Sequence, residues 1–363
     1  MQPTTTNFFK RQITLKEIGK EGQKKLEKTS ILIIGCGGLG SPIAVYLAMS
    51  GIGKIHLVDF DTVDVTNLHR QVFYTLEDIG KPKAQVLADF IKQRNPFTKI
   101  TVSNIPITKS NILQIVVQAD IIVDATDSLP TKYLINDACV MRNKALVYGS
   151  LYKFDGYVAS LNVLQKDNTY SSNLRDAFPE MITDIPNCEE AGTLNAIVGI
   201  IATMQVNEVL KLALGIGQPL VNQLQIINSL QNSSLKMKLN ATYSKEKITA
   251  LFEKEDYFDA GCQITKDDLQ ITALNLKEII EQQNNTLEII AVLPDLALPF
   301  SISKTIPIST FDAQRITIDP KKTYVMVCQR GKNSFIAAQK IKAVHPNAKV
   351  LSLAGGISKY KSL

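Results

Sequence analysis

The sequence is defined first by what it lacks. No stretch of about 18 uncharged apolar residues, the length a membrane-crossing helix needs, occurs in the 363 residues. The most apolar candidate, 194–214, is interrupted by Gln205, Asn207, Glu208 and Lys211. The N-terminal "MQPTTTNFFKRQITLKEIG" has no long apolar core of the signal-peptide kind, so a cytoplasmic protein with no membrane contact is expected. The five cysteines, Cys36, Cys139, Cys188, Cys262 and Cys328, are odd in number and widely spaced. That argues against a disulfide framework and leaves chemistry or burial as their reason. Histidines number only three. Net charge is +6 at pH 7, but no basic run reaches the length of a nucleic-acid-binding tail. No nucleic-acid partner is therefore expected, and the mild excess suits an acidic partner.

With 45% hydrophobic residues, the chain is long enough for two domains, each with a packed core. From Ser30 apolar runs alternate with helical patterns: "ILIIG", "IHLVDFD", "ITVSNIPI", "IIVDATD" and "ALVYGSL". This alternation predicts an α/β fold with a Rossmann-like, doubly wound, mostly parallel sheet. "YVASLNVLQ" and "LQIINSL" extend it as an antiparallel part, separated by a long polar loop at about 167–191 and an apolar helix. A loop of that length inside a compact domain is usually functional or disordered. Residues 236–268, rich in Lys, Glu and Asp, read as a strand end and a linker. Beyond them "LEIIAVL", "TYVMVCQRG" and "AKVLSLAGG" open a smaller α/β unit. The expected domains are 1–240 and 269–363, joined by a linker at 241–268.

"ILIIGCGGLGSPIAVYLA" carries G-x-G-x-x-G between strand and helix, with Gly35, Gly37 and Gly40 in the three positions. That arrangement seats a nucleotide's phosphates, and Asp59, about 20 residues on, stands where a carboxylate accepts from ribose hydroxyls. These features alone favour a nicotinamide enzyme over an ATP user. The following residues reverse the order. "DFDTVDVTNLHRQVF" brings Asp61, Asn67, Arg70 and Gln71, and "GKPKA" adds Lys81 and Lys83. A triphosphate attacked at its α-phosphorus needs cations around the developing charge, which Arg70 and Lys83 can supply. Asp127, at a strand's C-terminal end, could hold magnesium through water or simply cap a helix.

The string "GCGGLGSP … LVDFDTVDVTNLHRQ … GKPKA … DATD" resembles the ubiquitin-activating superfamily, in its MoeB/ThiF/HesA branch, over about residues 8–217. The branch adenylates the C-terminal glycine of small ubiquitin-like sulfur carriers. The resemblance implies that Asp59 binds ribose, that Asn67, Arg70 and Lys83 contact phosphates, and that Asp127 attends magnesium. The implied nucleotide set is Gly35, Gly37, Gly38, Gly40, Asp59, Asp61, Asn67, Arg70, Gln71, Lys83 and Asp127. The family also carries an N-terminal arginine that reaches into the partner subunit's site; "FFKRQI" places Arg11 there and implies a homodimer.

Cys188, in "DIPNCEEAGTLNAIVG", is either an exposed loop cysteine or a functional thiol near a helix start. The phrase resembles the family's C-x-x-A-G motif, whose implied task is to meet the activated carrier glycine or a persulfide sulfur. Family members usually hold a structural zinc with two C-x-x-C pairs. Here Thr169 and Ser172 stand in the first pair, and Cys262 has Thr265 in place of its mate. One thiolate cannot form a closed four-ligand site, so zinc is expected to be absent.

"VCQRGKNSFIAA" places Cys328 at the end of an apolar strand, before a short loop and a helix. Inward-pointing N–H groups in such a loop, with Arg330 and Lys332 nearby, would stabilise a thiolate or persulfide; the alternative is a buried strand-end cysteine. "CQRGKNS" with "LSLAGGISKY" resembles the active loop and closing signature of rhodanese sulfurtransferases, over about residues 269–363. Ala291 and Leu293 replace that family's charged pair, and Asn333 a frequent arginine. The combined expectation is adenylation of a carrier with a C-terminal Gly-Gly, of the molybdopterin-synthase small-subunit type, followed by sulfur transfer through Cys328 and Cys188. A cysteine desulfurase is a further expected partner. The alternatives are the same chemistry on a thiamin carrier, a non-catalytic carrier-binding scaffold, and a nicotinamide oxidoreductase, for which three histidines offer no evident proton relay.

Overall fold

The apolar run at 31–34 becomes β1 (Ser30–Ile34), and all four residues are buried. Ile31 and Ile33 point to one hydrophobic layer, Leu32 and Ile34 to the other. A parallel strand covered on both faces needs such a continuous apolar run, whereas a half-exposed strand would alternate. The computed structural model describes residues 4–181, 192–255, 257, 269–282, 286–293, 298–329 and 331–361. They fall into two units, Met1–Phe258 and Asp259–Leu363.

In the first unit, β2 (Lys54–Val58), β3 (Lys99–Ser103), β4 (Ile121–Asp124) and β5 (Ala145–Tyr152) join β1 in parallel. The strands β6 (Asp155–Leu161), β7 (Gln223–Asn228) and β8 (Ser233–Lys238) continue the sheet antiparallel, in the order β3-β2-β1-β4-β5-β6-β7-β8. The strand order reverses between β1 and β4, so their C-terminal ends bound a crevice where ligands of doubly wound sheets bind. One layer holds α1 (Gly19–Lys28), α2 (Gly40–Met49) and α3 (Lys83–Lys92); the other holds α4 (Leu129–Met141).

A capping box, Asn173 with Asp176, starts α5 (Leu174–Ala177) inside the long polar loop. The apolar helix α6 (Asn195–Leu214) is long and apolar enough to cross a membrane by length and composition. Here it packs on β5, β6 and α2, burying Ile197, Val198, Ile201, Ala202 and Val209. Part of the segment read as a linker is α7 (Lys245–Lys254), capped by Ser244, with Ile248 and Phe252 buried and the helix packed on α4. The charged residues that suggested a linker occupy its outer face.

In the second unit, β9 (Gln270–Ile271), β10 (Leu287–Ala291), β11 (Lys304–Thr305), β12 (Thr323–Val327) and β13 (Lys349–Leu353) form a parallel sheet ordered β11-β10-β12-β13-β9. It is accompanied by α8 (Ala273–Glu281), α9 (Lys332–Val344) and α10 (Gly356–Tyr360).

Candidate active site

The loop between β1 and α2 is shaped by close backbone contacts. Gly35 has φ +92°, and a Cβ there would lie 2.7 Å from the Ala125 carbonyl oxygen. A Cβ on Gly40 would lie 1.8 Å from the Gly35 carbonyl oxygen. Any side chain at either position would push the helix start away from the strand and displace its first N–H groups, the kind that suit an anion.

Asp59, one residue beyond β2, turns its carboxylate back on this loop. It accepts from the Cys36 N–H at 2.6 Å and the Asp61 N–H at 2.8 Å. Burial pushes its carboxyl above the usual carboxylate range, against the pull of these donors. Lys83 begins α3 with its side chain buried, 3.0 Å from Asp61, whose own side chain is 48% exposed. Tyr74 fastens the two segments: its hydroxyl donates to the Cys36 carbonyl at 2.6 Å and approaches the Lys83 carbonyl at 3.4 Å. Asn67 is buried in a short turn at 65–67, capped by Asp64. Arg70 follows, its Nη1 donating to the Thr66 carbonyl, and its backbone and side chain lie against Gly38. Gln71 is buried beside Gly37, and its Oε1 has no partner among the described residues.

The structure therefore brings Gly35, Gly37, Gly38, Gly40, Asp59, Asp61, Asn67, Arg70, Gln71 and Lys83 together at the ends of β1 and β2. Asp127 is exposed just beyond β4, in a turn whose Ala125 touches Gly35 and Gly40. The cap of α4 is Ser128, whose hydroxyl accepts from the Thr131 N–H, so Asp127 is left free of that duty. Arg11 is not brought to this set. It is exposed on the short helix Lys10–Ile13, and its neighbour Gln12 bonds Gln23 and the Ser50 carbonyl, at the opposite end of α2 from the glycine loop. Ten helical residues, about 15 Å, separate the two ends.

Sequence reasoning missed the buried set beneath the β4 turn. Asp124 is fully buried and ion-paired with buried Lys132, and Gln205 from α6 donates to the Asp124 carbonyl. Asp124 and Lys132 are eight residues apart in the sequence, an unremarkable spacing whose only signal was a second carboxylate in "DATD".

Cys188 and Cys262 lie outside the described residues, as does Thr265. Thr169 sits in an exposed turn, its N–H and hydroxyl both bonded to Asp167, while Ser172 is buried. Among the described residues no cluster of three or more His, Cys, Asp or Glu side chains is placed to hold a metal. Burial pushes the Cys36 and Cys139 thiols well up, which assigns both to packing.

In the second unit Cys328 follows β12 and is buried. The Gly331 N–H reaches its Sγ at 3.1 Å and the Ser334 N–H at 3.3 Å, with the Ser334 hydroxyl also at 3.3 Å. Ser352 backs this arrangement through a 2.9 Å bond to Ser334. Converging donors of this kind accommodate negative charge on sulfur. Arg330 and the Lys332 side chain are outside the description; Ala291 is buried in β10 and Asn333 half-buried.

Fold and site define a doubly wound α/β protein with a glycine loop at the strand ends, flanked by Lys83 and Arg70. The chain belongs to the ThiF family, which matches residues 9–249. A Thermus thermophilus protein named sulfur carrier protein adenylyltransferase is 38% identical over 231 residues, covering 63% of this chain and 85% of that one. A Culex quinquefasciatus protein named adenylyltransferase and sulfurtransferase MOCS3 is 31% identical over 365 residues, 92% of this chain and 81% of the relative. Among solved structures, Escherichia coli MccB with ATP has a TM-score of 0.54 at 25% identity, covering 60% of this chain and 66% of that one.

Proposed function

We propose that this chain uses ATP to adenylate the C-terminal glycine of a small ubiquitin-like sulfur carrier ending in Gly-Gly, and that its second unit assists the sulfur transfer that follows. The observation that carries the reading is the buried Lys83 with Arg70 against the glycine loop, a cationic corner suited to a triphosphate. The names of the relatives, one of them spanning both units, support the same chemistry.

A carrier carboxylate oxygen attacks the α-phosphorus; the new acyl–phosphate bond forms as the bond to the β-phosphate oxygen breaks, and pyrophosphate leaves. The carboxylate is ionised at pH 7, so no side-chain base is required. Lys83 and Arg70 stabilise charge that grows on the phosphate oxygens, while Asp59 receives the ribose hydroxyls. A magnesium ion bound with ATP would supply charge neutralisation to the triphosphate, and exposed Asp127 is the carboxylate that would hold it. Arg11, remote from the loop in its own chain, is proposed to act in the site of a second copy, making the working unit a homodimer.

Purified carriers of the molybdopterin and thiamin pathways, tested in parallel for exchange of labelled pyrophosphate into ATP, check the reading. Exchange with the molybdopterin carrier is expected; exchange with neither overturns it.

For the second step, the terminal sulfur of a Cys328 persulfide, loaded by a cysteine desulfurase, displaces AMP from the acyl carbon and leaves the carrier joined to Cys328 by an acyl disulfide. A thiolate, for which Cys188 is the candidate, then attacks the Cys328 sulfur, and the S–S bond breaks to release the carrier thiocarboxylate. An external thiol reduces the disulfide left behind. Cys328→Ala is expected to abolish thiosulfate-to-cyanide sulfur transfer while carrier-dependent pyrophosphate exchange stays within about twofold. Undiminished thiocyanate formation would remove the second unit from the sulfur path. The donor set at Thr169, Ser172 and Thr265 does not suit zinc, and purified protein is expected to contain far less than one zinc per chain. Stoichiometric zinc by mass spectrometry would refute this.

A further inference from the structure

The strongest unassigned feature is polar and buried. Asp124 ends β4 between β1 and β5, with a side chain that solvent does not reach. One carboxylate oxygen accepts from Lys132 Nζ at 3.1 Å, and the other accepts both the Thr126 N–H at 3.0 Å and the Thr126 hydroxyl at 2.7 Å. Lys132 also donates to the Gly149 carbonyl at 2.7 Å, across on β5. Gln205 bonds the Asp124 carbonyl at 2.8 Å and the Val147 carbonyl at 3.3 Å. The turn after β4 is thereby fixed at successive points. Ala125 N–H donates to Ile34, Thr126 is held by Asp124, and Ser128 caps α4. Asp127 lies between the last two.

A buried ion pair returns in attraction little more than it loses in desolvation, and apolar residues of similar volume would pack β4 against α4 at least as well. Packing stability alone therefore gives the chain no reason to keep Asp124 and Lys132. What an apolar pair could not do is hold Thr126 by two bonds and thereby fix the direction in which the next residue leaves the sheet.

We propose that the Asp124–Lys132 pair is the positioning element for Asp127, setting that carboxylate against the glycine loop without touching substrate. The inference rests on the adenylation reading. Lys132 fastens Asp124 to β5, Asp124 fastens Thr126, and Thr126 presents Asp127; catalysis responds steeply to such placement, since about 1 Å of displacement costs on the order of a hundredfold.

Lys132→Met alone leaves Asp124 buried and unpaired and is expected to unfold the domain, so the test uses Asp124→Val/Lys132→Met, which buries no charge. Its folding is checked by thermal melting. Carrier-dependent pyrophosphate exchange should then show kcat at least about tenfold lower with the KM for ATP within about threefold, because neither substitution alters a residue of the glycine loop, Asp59, Arg70 or Lys83. Lys132→Arg, which keeps the pair, should retain most of the rate. The deciding measurement is the same double change made in an Asp127→Ala background, where it should cost less than about a further twofold, since residues acting through one group are not additive. An equal loss in both backgrounds overturns the positioning role. Full exchange by Asp127→Ala itself overturns the assignment of Asp127 on which the inference stands, and that outcome is visible before the cycle is closed.

Discussion

Lys83→Ala is expected to lower kcat for carrier-dependent pyrophosphate exchange by about 10²–10³-fold, the usual consequence of removing one preorganised charge from a transition state. The fold should survive the change. The partner left behind, Asp61, has a side chain 48% exposed, so water replaces the lost ammonium and the stability cost is about 1 kcal/mol or less. Lys83 also contributes its backbone N–H to the Asp61 carbonyl, a bond that alanine keeps, and alanine is a good residue for the first turn of α3. The expected signature is a nearly unchanged melting temperature with a collapsed kcat. Lys83→Arg should recover only part of the rate, because the guanidinium's planar fork cannot occupy the ammonium's place beside Asp61. Full exchange by the alanine variant would remove Lys83 from the chemistry and, with it, the observation on which the proposed function chiefly rests.

The glycine loop was legible because each of its parts is local. Strand, glycine turn, helix and Asp59 follow one another within about 30 residues, and the spacing alone dictates that a phosphate can sit on the helix start. The antiparallel extension was legible for a similar reason: β5 and β6 are joined by a tight turn at Lys153, whose φ of +56° lets the strands pair directly. The helix Lys245–Lys254 was not read, although Ser244 followed by Ile248 and Phe252 marks a cap and one apolar face. Its abundance of Lys and Glu suggested solvent on all sides, whereas only two or three apolar positions were needed to dock it. The Asp124–Lys132 pair and the Arg175 cluster escaped for a different reason. Nothing in the residues neighbouring Lys132 and Arg175 in the sequence says that they are buried. For Lys132 only the packing of α4 on β4 and β5 does so, and for Arg175 only contacts with residues 38 and 80 positions away.

That Arg175 cluster should carry a large stability effect of its own. Arg175, on α5, is 1% exposed and grips fully buried Asp137 of α4, with Nε at 3.0 Å and Nη2 at 2.6 Å. Its other edge meets Glu255 just past α7 at 3.1 and 2.6 Å, and the Tyr257 hydroxyl also bonds Asp137. Three segments that no disulfide joins are thus closed around one guanidinium. The same loop is tied again where Asp176 accepts from the Thr242 and Tyr243 N–H groups, and where the Tyr133 hydroxyl donates to the Phe178 and Glu180 carbonyls. Removing one member of a buried ion pair leaves the other charged and unsolvated, at a cost of about 3–5 kcal/mol. Arg175→Met should therefore lower the melting temperature of the first unit by about 6–20 °C. The cause can be separated from simple loss of volume. Arg175→Met combined with Asp137→Asn removes the stranded charge and should recover a substantial part of the loss. Glu255→Gln, at a site with 24% of its side chain exposed, should cost only about 1 kcal/mol because water can take up the slack. If Arg175→Met melts with the parent protein, the cluster closes nothing. If the double variant is no better than the single, the arginine acts through its packed length against Tyr133, 5.0 Å from the ring centre, rather than through its charge.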